Sequence, residues 1–136
     1  QIVATFTLPV DGTYFLRVEN NDGNAVRSSS ALLTVSDAPA WTTAAGSIYT
    51  GESVVSTITL SATGATSFAV TTGAVPTGLT FTSGTGSCTI QGTQTEFSAA
   101  ATKNFSITAT DAEGQTAVRA FSMSFVFEMS GSGGFN

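Results

Sequence analysis

Residues 74–93 read Ala74-Val-Pro-Thr-Gly-Leu-Thr-Phe-Thr-Ser-Gly-Thr-Gly-Ser-Cys-Thr-Ile-Gln-Gly-Thr93. A Pro76-x-Gly78-Leu79 turn leads into a short strand. A Gly84-x-Gly86 turn follows, and a second short strand runs out at Gly92-Thr93. Proline and glycine at this spacing punctuate strands that fold back on one another, and they leave no room for a helix between.

The rest of the chain agrees with that local reading. Its 136 residues are 41% hydrophobic and only 10% charged, which favours a packed core over disorder. Abundant Thr and Val, 14 Gly and few Lys, Arg or Glu disfavour helix and favour strand. The expected fold class is all-β.

Residues 41–127 have the pattern of a complete sandwich. Residues 53–60 bear apolar positions at Val54, Ile58 and Leu60, interrupted by Ser56. Residues 66–71 place Phe68 and Val70 on one face, and the quoted stretch supplies two short strands around 79–81 and 88–90. Residues 104–110 align Phe105, Ile107 and Ala109. Residues 115–127 align Ala117, Arg119, Phe121, Met123, Phe125 and Phe127. Short alternating strands with turns at close intervals are the signature of two stacked antiparallel sheets, which need about seven strands.

This region resembles the immunoglobulin-like (cadherin-like) modules that recur in bacterial surface proteins and phage virion proteins. Val75-Pro76-Thr77-Gly78-Leu79 is similar to the Leu-Pro-x-Gly-Leu signature of that family, with Val75 in place of Leu. Gly84-Thr85-Gly86 and Ile90-Gln91-Gly92-Thr93 resemble its Thr-Gly-x-Ile-x-Gly-Thr block, with two additional residues flanking Cys88. Asn104 to Asp111 is similar to its penultimate strand. The resemblance implies an immunoglobulin-like β-sandwich used as a scaffold, with no shared catalytic residues.

Residues 1–36 read as three further strands, over 2–8, 13–19 and 25–35. The first two are joined by a Pro9-Val10-Asp11-Gly12 turn, and the last two by an Asn20-Asn-Asp-Gly-Asn24 turn whose Asp22-Gly23 pair is expected to supply positive φ angles. Three strands are too few for a sandwich. Val18, Asn20, Asp22 and Gly23 match the closing hairpin of TIG-type immunoglobulin-like domains. The resemblance implies a partial sheet, the C-terminal end of an incomplete domain, completed by preceding residues or by strand addition from another subunit. Residues 37–40 read as a stiff linker bearing Pro39. Residues 128–136 read as a flexible Gly/Ser tail. Both ends have the look of cuts through a longer polypeptide.

Candidates for chemistry are few. The sequence contains no His, so Ser-His-Asp catalysis and the usual zinc sites lack their central group. No catalytic residue and no cofactor is expected. Cys88 is the only cysteine, so no intrachain disulfide forms; it reads as a small half-buried side chain. Asp111 and Glu113, beside Gly114, read as the acidic tip of a hairpin. The resemblance to cadherin-like modules, which place Asp-x-Asp or Asp-x-Glu near this position to ligate inter-domain ions, also implies calcium, but calcium takes about six oxygens and no acidic cluster stands at the Asp37 linker to supply the others. Trp41, the only tryptophan, and Tyr49 are the candidate glycan contacts. The expected role of Trp41 is to cap the end of the core.

A net charge of −5, with four scattered cations, argues against nucleic acid as a partner. No apolar run is long enough to span a bilayer. By resemblance, the expected role is a non-catalytic structural or display module on a bacteriophage virion surface: a capsid decoration, fibre or tail-associated protein, aiding host attachment. Its partners would be other virion or surface-protein subunits, in a homo-oligomer or larger assembly, and host glycans. The alternatives are a bacterial cell-surface adhesin or stalk, and a carbohydrate-binding accessory domain of an extracellular enzyme.

Overall fold

The computed structural model describes residues 3, 5, 12–28, 30–96 and 102–126. The chain divides into two compact units, Gln1–Asp37 and Ala38–Asn136.

In the first unit four three-residue strands, β1 (Gly12–Tyr14), β2 (Arg17–Glu19), β3 (Ala25–Arg27) and β4 (Leu33–Val35), pair as β1 with β4 and β2 with β3, both antiparallel. The strands expected over 13–19 and 25–35 are thus each broken in two. Ser28 makes the break: its Oγ accepts the Leu16 N–H at 3.1 Å, while the Ser28 N–H donates to Leu16 O at 2.8 Å. A side chain there replaces a backbone ladder partner, and backbone bonding resumes at Leu32, whose N–H donates to Tyr14 O at 3.0 Å. The hairpin turn also differs from expectation. Gly23 alone takes a positive φ, 76°, and Asp22 does not. The turn is held instead by Asn20, whose Oδ1 accepts the N–H groups of Asp22 and Asn24, both at 3.1 Å. The strand expected over 2–8 lies outside the described residues except at Val3 and Thr5.

The second unit is a β-sandwich. One sheet has the order β5 (Ala40–Trp41), β7 (Val54–Thr63), β10 (Ser87–Thr93), β9 (Leu79–Ser83). The other runs β6 (Gly46–Gly51), β12 (Thr116–Phe125), β11 (Thr102–Thr110), β8 (Ser67–Gly73). Every pairing is antiparallel except that of β6 with β12. Alternation builds the core. Leu60, Ala62, Cys88 and Ile90 point inward from the first sheet; Phe68, Phe105, Ile107, Ala109, Phe121, Met123 and Phe125 point inward from the second. Ala40, within the stretch read as linker, already pairs with Thr63.

Two departures from the sequence reading have one cause. In β7, Ile58 pairs with Ile90 but Val55 pairs with Gly92, so β7 carries one extra residue at this point. Such a bulge swaps the face of everything beyond it. Val55 is therefore buried, 3% exposed, while Val54, expected on the inner face, is 66% exposed. Strand β6, which the alternation did not reveal, is likewise interrupted. Its register with β12 steps from Ser47↔Ser122 to Tyr49↔Met123, so the neighbours Ile48 and Tyr49 are both half-buried. A bulged strand of six residues leaves no period-two signal.

Candidate functional site

Trp41 ends β5, paired with Ala62 of β7. From there its indole reaches across to the opposite sheet. The ring stands edge-on to Phe68 (centroids 5.5 Å, 64°) and to Phe121 (5.3 Å, 67°). Nε1 donates to Ala117 O of β12 at 2.9 Å. Arg119, two residues on, donates from Nη1 to Thr43 O at 2.6 Å. These two bonds tie the end of one sheet to the first half of β12, whose residues before Phe121 have no β6 neighbour. Arg119 went unremarked in the sequence beyond its place in an apolar register. A cation at an inward position is itself a signal, because it needs a polar acceptor.

Tyr49 closes the other end of the same flank. Its ring packs on Phe125 at 5.5 Å, and its hydroxyl lies within hydrogen-bond distance of Glu52 O (2.8 Å), in the turn between β6 and β7, and of Val54 O (3.0 Å), at the start of β7. Trp41 and Tyr49 are both half-buried, and each polar tip is engaged by backbone carbonyls.

Asp111 follows β11 and is only 7% exposed. Its Oδ1 accepts the N–H groups of Glu113 (3.0 Å) and Gln115 (2.7 Å), and its Oδ2 accepts Gln115 Nε2 (3.1 Å). Both carboxylate oxygens thus organise the hairpin from β11 to β12, while Glu113 is exposed beside it. No group of three or more His, Cys, Asp or Glu side chains gathers among the described residues.

Cys88 was expected half-buried and is fully buried, 1% exposed, because it occupies an inward position of β10 opposite Leu60. Burial pushes its thiol up to about 11, so it stays protonated at neutral pH.

A polar clasp stands at one end of the sandwich. Glu96 accepts from Lys103 Nζ at 2.6 Å and from the Thr77 hydroxyl. The buried Gln94 donates through Nε2 to Glu96 O and through its backbone N–H to Ser53 O. Lys103 and Thr77 hold the Glu96 carboxyl below its ordinary range. An open groove of about 300 Å³ lies on the β6-β12-β11-β8 sheet, lined by Gly46, Gly73, Asn104, Phe105, Ser106 and Ser122 among others. Small neutral residues and the two phenylalanines Phe105 and Phe121 make it, and no titratable group is among its lining residues.

The sequence matches the model of the family described as "Putative Ig domain" over residues 31–126. The chain belongs to that family. Among solved structures this Ig domain is similar to the sialic acid binding region of an adhesin from Streptococcus sanguinis SK1, solved bound to 3'sLn. The TM-score is 0.53 and the identity 17%, over 82% of this chain and 35% of that one. The likeness is one of fold, and the Ig-domain chain spans about a third of its neighbour's length. No curated protein matches the sequence.

Proposed function

We propose that this Ig domain is a non-catalytic structural or display module of a surface-exposed assembly, and that the assembly is a bacteriophage virion. The observation that carries the reading is the use made of the polar side chains. Trp41 Nε1, Tyr49 OH, Arg119 and the Asp111 carboxylate all bind the sandwich's own backbone. The Trp41 and Arg119 bonds resist shear between the sheets, those of Tyr49 and Asp111 fix turns, and side chains engaged in this way are poorly placed to act as nucleophile or general base. Immunogold electron microscopy of the native source, with antibody raised to the second unit, tests the proposal. Label repeated on a capsid or tail lattice is expected. Label confined to the cell interior would sink it.

A second reading, a bacterial cell-surface adhesin, is supported by the fold shared with the sialic acid binding region of the streptococcal adhesin. In that case the groove bearing Asn104, Ser106 and Ser122 is the natural contact for a neutral or acidic glycan, through amide and hydroxyl hydrogen bonds. Glycan-array binding abolished by Asn104→Ala with Ser122→Ala favours this reading. Binding lost only in Trp41→Ala moves the contact to the indole.

A further inference from the structure

Four strands end the two sheets, and three of them are blunted. β5 has only two residues. β6 is bulged against β12. β8 is bulged against β11, and its Phe68 N–H is capped by Ser83 Oγ at 2.8 Å. Among the described residues the fourth, β9, is neither short nor bulged, and it is engaged only at its last residue, where Ser83 Oγ accepts that bond from β8. Its ladder with β10 runs without a break from Ser83↔Cys88 to Leu79↔Gly92, and it contains no proline and no charge. Native sheets normally guard a regular edge with lysine, proline or a bulge, because unpaired N–H and C=O groups template another strand.

The charge pattern says what such a strand belongs to. From Ser53 to Thr95 the chain carries no Lys, Arg, Asp or Glu, so β7, β8, β9 and β10 are all neutral, in a chain of net charge −5. Two copies repel one another elsewhere and meet here without a charge between them. The inward side chains of β9, Leu79 and Phe81, are packed on the core yet only half-buried. A strand added at this edge completes their cover.

We propose that β9 is a self-association edge, at which a second copy of this chain pairs antiparallel, joining two four-stranded sheets into one of eight. A two-fold axis at Phe81 sets Thr80 against Thr82 of the second copy and Leu79 against Ser83. The interface is isologous, closed and free of like charges. Five residues of edge pairing make a small contact. It is weak between free copies and becomes strong where many copies are held on one surface. The inference stands on the edge itself and does not depend on whether that surface is a virion or a cell.

Sedimentation of the full chain up to millimolar concentration provides the test. The wild type is expected to dimerise reversibly. Thr80→Lys with Thr82→Lys, both exposed positions, sets like charges directly opposite across the axis and weakens dimerisation by about tenfold. Thr80→Glu with Thr82→Glu does the same, and an equimolar mixture of the two double variants restores the dimer. Val118→Lys with Ala120→Lys, the same charge added to exposed positions of β12, leaves the dimer unchanged. A wild type that stays monomeric gives the edge to another protein's strand and overturns self-pairing. Equal weakening by both lysine pairs, or no rescue on mixing, overturns it as well.

Discussion

Gly78 and Gly92 lie where two backbone segments cross, and glycine is required at Gly78 for two separate reasons. Its φ is +90°, and a Cβ added there would sit 2.1 Å from Thr93 O. Gly86, in the β9–β10 turn, shares the positive φ (+75°) but has nothing within 4 Å of an added Cβ. The same substitution therefore separates backbone strain from collision. Gly86→Ala is expected to cost about 1 kcal/mol from strain alone, and Gly78→Ala more than about 3 kcal/mol because backbone must also move. Urea unfolding of the two variants measures the difference, and equal costs would contradict the crossing. The turn residues were legible in the sequence because φ preference is local. The roles of Trp41, Tyr49 and Asp111 were only half legible. Asp111 was read as part of an acidic tip and is instead an inward carboxylate that holds its hairpin by three bonds.

Elements add what single residues cannot show. The β7 bulge predicts opposite outcomes at adjacent valines. Val55→Thr buries a hydroxyl in an apolar site and is expected to cost about 1–3 kcal/mol. Val54→Thr, on the solvent side, is expected to stay within about 0.5 kcal/mol of wild type. Chemical denaturation decides, and a reversal of the two would place the bulge elsewhere. The clasp between the β9 turn and the start of β11 has a sign in pH. The Glu96 carboxyl is depressed by the Lys103 hydrogen bond first and the Thr77 hydroxyl second. A depressed carboxylate contributes stability above its unfolded pKa and loses it as pH falls through its folded pKa. The difference in melting temperature between wild type and Glu96→Gln is expected at neutral pH and should vanish in acid. A difference that persists under both conditions would leave the ion pair without a role. The strands expected at 104–110 and 115–127 were readable because each keeps one register over its described length, Phe105↔Phe121 through Ala109↔Ala117. β6 and the inward face of β7 were not, because a bulge resets the phase at a position that only the partner strand defines.

At the scale of the molecule the two units differ in kind. The second has a continuous core of Phe, Ile, Leu and Met side chains. In the first no described residue is buried, and Val18 and Val26, paired across β2 and β3, are 43% and 75% exposed. Two-stranded ladders of three residues have little stability of their own. Native-state hydrogen exchange is accordingly expected to protect amides of β7, β10, β11 and β12 up to global unfolding, while those of β2 and β3 exchange orders of magnitude faster. Equal protection in both units would mean that the apolar face of the first is covered in solution. The all-β class, the glycine turns of the second unit and the inward residues of β11 and β12 were legible along the chain. Glycine conformation and side-chain alternation are properties of neighbours along the chain, so they can be read without a partner. It takes contacts between distant segments to set β6 parallel to β12, to bring Val55 rather than Val54 into the core, to span the two sheets with Trp41, and to leave β9 at the end of its sheet. Each of these is a pairing between distant segments, and its free energy exists only once both have met.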